Sequence, residues 1–166
     1  MITAIDRIID ELRRAHDGEA WHGSSVAALL DGVSAAAAAA RPVPGAHTIW
    51  ELVLHMTTWR NEVTRRLYRG VTEPLEVEDW PPMPEPSEGA WAAARAALAA
   101  AHTSLIQAVA KLPAARLDDV LADRRDPPET SEKGVSYYVL LHGIAQHDAY
   151  HGGQIAMLKR AADGGR

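Results

Sequence analysis

Eight histidines and no cysteine frame the chemistry open to this chain. Without a thiol, disulfides, thiolate metal sites and a cysteine nucleophile are excluded, so a transition-metal site must be built from imidazole or carboxylate. Neutral imidazole is the commonest metal ligand. The run His147-Asp148-Ala149-Tyr150-His151 carries two imidazoles at the spacing such a site needs. On a helix, residues four apart are separated by about 40° around the axis and one turn along it. Two imidazoles so placed reach one ion at ~2.0–2.1 Å. Zinc-protease helices use the same pair, but the catalytic glutamate of that motif is absent here. Position 148 is Asp, beside the first histidine and turned from the metal face.

The inward stripe around that pair is otherwise apolar: Leu140, Ile144, Ile155 and Leu158. His55 interrupts a second apolar stripe in the same way, between Leu52, Met56 and Trp59. Two readings stand for such histidines. Each is a core imidazole bonded to a carbonyl or a water, or all three converge on one ion. An unsatisfied buried imidazole costs a few kcal/mol, about 1–3 on mutational scales. The i, i+4 pair, the third inward histidine and Gln154 on the same face favour the ion.

Other residues are placed more loosely. His102 lies near the apolar stripe of its helix, to line the cavity or to serve the core. Trp21 and His22 precede the His55 helix, where their loop can approach the mouth of the site. His142 is about 140° from His147 and points elsewhere. His16 and His47 read as exposed end residues, and Tyr150 as packing against a neighbouring helix or subunit. Gly152 and Gly153 are costly mid-helix, about 1 kcal/mol each against alanine. Either close approach of another helix or space for a ligand accounts for them.

Four long helical patterns must position these residues. The first spans about Ile2 to His16, with Ile5, Ile8, Ile9 and Leu12 on one face. Short helical pieces follow at Val26–Leu30 and Ala35–Ala40, before Arg41-Pro42-Val43-Pro44-Gly45 breaks the chain. The second begins at the capping box Thr48-Ile49-Trp50-Glu51 and runs to about Tyr68, with Gly70 as its stop. Residues 71–86 form a proline-rich acidic loop long enough for an overhand connection. The third runs from Ser87 to about Leu112. A loop with Arg124-Arg125-Asp126-Pro127-Pro128 precedes the fourth, from about Val135 to Ala162, which frays at Gly164-Gly165. No strand-like alternation of useful length appears. An all-α four-helix bundle without a sheet is the expected fold, one domain over residues 1–166.

Composition fits this. The net charge of −5 gives no basic surface for nucleic acid. Arg60, Arg65, Arg66 and Arg69 read as the solvated polar face of one helix. No apolar run reaches the ~18–20 residues that cross a bilayer, no signal peptide is evident at the N-terminus, and the cytosol is the expected location.

At these residues the chain resembles a known family. His147-Asp148-x-Tyr150-His151-x-Gly153-Gln154 is similar to the last-helix signature of the DinB/YfiT-like metalloenzymes. Ile49-Trp50-Glu51-Leu52-Val53-Leu54-His55, with Trp59 four further on, resembles their first-ligand helix. Trp21-His22-Gly23 and Arg41-Pro42-x-Pro44-Gly45-x-His47 echo one branch. The resemblance implies a four-helix bundle of variant up-and-down topology, with one Zn²⁺ or Ni²⁺ per chain held by His55, His147 and His151. It also implies a homodimer, for which alanine-rich Ala90–Ala101 offers a face, with Trp80 and Trp91 as nearby anchors. Family members of known activity include bacillithiol-dependent transferases and mycothiol-dependent isomerases.

Two classes of function follow. In the first, an open metal position serves transfer of a low-molecular-weight thiol to an electrophile. Hydrolysis ranks behind it, because no extra carboxylate stands at helical spacing to act as base. In the second, the protein binds a metal or small ligand without catalysis, the site being closed by a fourth ligand such as His102 or His22.

Overall fold

A computed structural model describes residues 1–125 and 134–162. Asp126-Pro127-Pro128 and the fraying expected at Gly164-Gly165 lie outside them. The protein is mostly helical. Helix α1 spans Ala4–His16, α2 Val26–Leu30, α3 Ala35–Ala39, α4 Ile49–Arg69, α5 Glu88–Ala110 and α6 Tyr137–Ala162. Among the described residues no helix is long and apolar enough to cross a membrane.

Local chemistry fixes the helix starts. Thr3 and Asp6 form a capping box on α1, and Thr48 and Glu51 form one on α4. The Ser87 hydroxyl accepts from the Ala90 amide to start α5. Gly70 ends α4 in the left-handed region at φ 69°, where a side chain is strained. A Cβ there would also stand 3.2 Å from the Tyr137 hydroxyl.

A small sheet corrects the expectation of none. Strand β1 (Val71–Thr72) pairs in parallel with β2 (Val120–Asp123), and β2 pairs antiparallel with β3 (Val135–Ser136). Strands of two to four residues leave no readable alternation, and their partners lie far along the chain. The sheet nonetheless matters to the site. β1 directly follows α4 and β3 directly precedes α6, so the ladder ties the end of one histidine-bearing helix to the start of the other.

Helix α4 packs against both α5 and α6, and α1 packs against the same two. The apolar core falls into two clusters. One gathers Trp50, Leu52, Met56, Trp91, Leu98 and Ile155; the other gathers Leu12, Val63, Leu105, Tyr137, Leu141 and Ile144. On α4, α5 and α6 the stretch between the clusters is polar. It holds His55 and Arg60, His102, and His147, Asp148 and His151, with all but His147 buried.

Three expectations change here. Trp91 is fully buried, donates its Nε1–H to the Val33 carbonyl at 2.7 Å and packs on Trp50. It is a core residue, not an interface anchor. Arg60 is also fully buried, although it belongs to a run of arginines that reads as solvated. Arg65, Arg66 and Arg69 pair instead with Glu62, Glu73 and Glu76. Finally, His16 is buried rather than exposed, because the end of α1 packs into the polar layer.

Candidate metal centre

His55 on α4 and His147 and His151 on α6 form a cluster that could hold a metal ion. The i, i+4 spacing brings His147 Nε2 within 3.1 Å of His151 Nε2, and helix packing brings it within 3.0 Å of His55 Nε2. A tetrahedral ion bound at ~2.05 Å sets its ligand nitrogens about 3.3 Å apart; two of the three separations here are close to that, and all three ring nitrogens lie within 4.8 Å of one another.

The outer nitrogens decide which tautomers are present. His55 Nδ1 donates to the Asp79 carbonyl at 2.9 Å, with Asp79 Oδ1 a further 3.2 Å neighbour. His151 Nδ1 donates to Gln154 Oε1 at 2.7 Å. Oxygen acceptors there place the ring hydrogens on Nδ1, leaving bare lone pairs on Nε2. Those lone pairs converge on His147 Nε2. A single hydrogen on that atom could satisfy only one of them, whereas a cation at the centre satisfies all three. This is the arrangement in which outer acceptors orient ligand imidazoles and raise their basicity.

Asp79 is itself held, since Trp59 Nε1–H donates to its Oδ1 at 2.7 Å. Trp80, the next residue, stacks on His55 at 3.8 Å and 5° between planes, with His47 on its other face at 3.5 Å. Asp79, Trp80 and His47 therefore belong to the centre, although sequence spacing does not place them there. The signal lies in the long 71–86 connection: an Asp-Trp-Pro-Pro run in a loop of that length marks a functional segment. Trp80 thus covers His55 from the loop.

Gln154 joins the centre as the partner of His151. Trp21, His22 and His102 do not. Trp21 is fully exposed. His22 lines a separate cavity with Gly152, Gly153 and Arg160, on a face of α6 turned away from the histidine seam. Gly152 packs there at ordinary contact distance, since a Cβ would meet Leu29 at 3.5 Å, and Gly153 faces open space. His102 is on α5 and stacks with His16 at 4.1 Å between ring centroids. His142 pairs with Glu11, and Tyr150 is exposed but for an edge contact to His151. Asp148 faces away from the triad and bonds Arg60 Nη2 at 2.8 Å.

Burial sets the charge states. Desolvation, with the neighbouring imidazoles adding to it, pushes His147 down to about 3, and desolvation also lowers His151. Both rings stay neutral, and so competent to bind metal, below the pH at which an exposed imidazole protonates. In the same layer desolvation and the Arg60 charge hold His16 at about 3 and His102 at about 4.

A pH dependence follows for the metal-free protein. The unfolded chain takes up protons on these rings near pH 6.5, the folded protein only near 3 to 4. The unfolded state therefore binds more protons between those limits, and stability falls as the pH drops from 6.5 toward 4. Each ring contributes up to ~1.4 kcal/mol per pH unit. Urea midpoints at pH 7, 5.5 and 4.5 should decline steeply, and less steeply in His16→Leu/His102→Leu. A flat series would show that these rings are not held neutral.

Residues 20–155 match the model of the DinB superfamily. Neither a curated protein nor a solved structure matches the chain. The matched stretch contains the whole of α4 with His55 and the part of α6 that carries His147 and His151, so the histidine cluster and the family assignment rest on the same helices: the chain belongs to the DinB superfamily.

Proposed function

We propose that this protein binds one Zn²⁺ or Ni²⁺ through His55, His147 and His151 and transfers a low-molecular-weight thiol to an electrophile. The observation that carries the reading is the convergence of the His55 and His151 Nε2 atoms on His147 Nε2, each within 3.1 Å of it, with both of their rings already spending their Nδ1 hydrogens on oxygens. Lewis acidity is the chemistry a bound ion supplies here, and it makes thiolate available at neutral pH from a thiol whose free pKa is ~8.5.

The chain's own residues do the rest. Asp79 and Gln154 hold two ligand rings in register, and Trp59 holds Asp79. Trp80 shields the His55 ring on one face. The reaction forms a carbon–sulfur bond, releases the leaving group with its electron pair, and gives the thiol proton to solvent. Thiol transfer ranks ahead of hydrolysis because the nearby carboxylates are engaged. Asp148 faces Arg60, and Asp79 is taken up by His55 and Trp59.

The same reading takes α1, α4, α5 and α6 as the four helices of a DinB/YfiT-like up-and-down bundle. It also takes the protein as a cytoplasmic homodimer, for which the exposed alanines of α5 between Ala92 and Ala100 offer a close-packing face.

The test is to load the protein with zinc and assay a panel of bacterial thiols against a generic electrophile. Rates should exceed those of His55→Ala for at least one thiol. Equal rates for every thiol would overturn the transferase reading. Metal-dependent ester cleavage without thiol would then favour a hydrolase, and its absence a binding protein.

A further inference from the structure

His147 belongs to two features at once. Its Nε2 faces the other two histidines, and the residue also lines an apolar slot of about 280 Å³. The slot runs between α4 and α6. Trp59 and Val63 form one wall, and Val139, Leu140, Gly143 and Ile144 the other. Trp59 spends its indole N–H on Asp79, so the ring presents only its hydrocarbon surface here. Among the described residues His147 is the one polar side chain on the lining, and none of them adds a charge to it. On α6 the lining carries glycine at position 143. A Cβ there would meet nothing within 4 Å, so the glycine leaves open space rather than allowing close packing.

We propose that this slot binds the apolar part of the electrophilic substrate, a neutral aryl or branched alkyl group of one or two rings' size, and delivers its reactive end to the His147 side of the centre. The assignment rests on the metal-site reading above for its orientation, though not for its existence. Size argues for a small group, since the volume falls just under the ~300 Å³ at which drug-sized sites begin. Chemistry argues for a neutral one. A charged group in this lining would lose its hydration and find no partner. Thiol and electrophile would then occupy different surfaces, the thiol at the ion and the hydrocarbon in the slot. That separation is what orienting two reactants requires.

The test uses zinc-loaded protein and two unreactive probes, neutral 1-naphthylmethanol and anionic 1-naphthoate, followed by methyl-region NMR. The neutral probe should shift the methyl signals of Val63, Leu140 and Ile144 and bind at least tenfold more tightly than the anion. Gly143→Leu fills the slot without a backbone clash and is expected to weaken the neutral probe at least tenfold, with metal content unchanged. Val139→Trp, from the exposed rim, should do the same. Probe binding that both variants leave intact, or shifts confined to other residues, would overturn the proposal. So would a change of solution mass in Gly143→Leu with unaltered probe affinity, which would give this face to a second copy of the chain. Probe binding lost in both variants, with no thiol transfer in any assay, would keep the slot and remove the transferase reading.

Discussion

Replacing His147 and His151 together by alanine is expected to strip the protein of the one divalent ion per chain proposed above. The two rings supply two of the three converging nitrogens, and His55 alone cannot hold an ion against solvent. The helices should survive. Alanine has the highest helix propensity, and α6 keeps its buried Leu141, Ile144, Ile155 and Leu158. Elemental analysis after dialysis against a weak chelator, with a far-ultraviolet spectrum of the same sample, reads both effects. Milder changes to the surrounding shell should grade the response. Asp79→Ala leaves the backbone acceptor of His55 but removes the carboxylate beside it, and Gln154→Ala removes the acceptor of His151. Losses of about 10–100-fold in metal affinity are the usual consequence of such changes. Full retention of metal in the double histidine variant would place the ion elsewhere.

The second large effect is expected at Asp148. Its carboxylate and the Arg60 guanidinium meet at 2.8 Å with neither side chain exposed to solvent. Burial pushes the Asp148 carboxyl up, against the pull of the Arg60 charge. Asp148→Ala leaves Arg60 buried with the Leu98 carbonyl as its remaining acceptor, at 3.3 Å. Removing one member of a buried pair in this way costs about 3–5 kcal/mol. Replacing both, as in Arg60→Met/Asp148→Leu, removes the stranded charge as well and should recover most of that loss. Urea unfolding of the two variants side by side tests the claim. A loss below about 1 kcal/mol in Asp148→Ala would mean that the pair contributes no more than a surface bridge does.

These two predictions concern opposite sides of one polar layer. His147 and Asp148 are consecutive, yet one joins the histidine cluster and the other joins Arg60 on α4. The pair cross-links the two helices that carry the candidate ligands, one residue from His147. The layer is not fully satisfied by the protein's own groups. Among the described residues, His16 Nδ1, His102 Nδ1, Arg60 Nε, His147 Nδ1 and Asp148 Oδ1 are buried without a hydrogen-bond partner. Such a layer between two apolar clusters costs stability, and a histidine cluster able to hold a metal ion is what it provides in exchange.

The helices and the histidine trio were legible in the sequence. Both are periodic, local signals: capping boxes at Thr3 and Thr48, apolar residues every three or four positions, and two imidazoles one turn apart. His55 was legible because it interrupts an apolar stripe where only a partnered imidazole is tolerated. Gln154 was legible because helical spacing put it on the seam. Tertiary structure alone decided the remainder. Asp79 and Trp80 reach the centre from a loop, and loop conformation carries no period from which to infer direction. Arg60 lies in a run of arginines whose other members are paired with glutamates, and only the packing of α4 against α5 and α6 shows which one is inside. His16 and His102 come together from helices whose crossing no local pattern specifies. The short sheet joins residues some fifty positions apart, Val71 with Ala122, through strands too brief to alternate. Periodicity reports which face of an element is buried. What that face meets depends on the arrangement of the other helices, and this chain's chemistry depends on both.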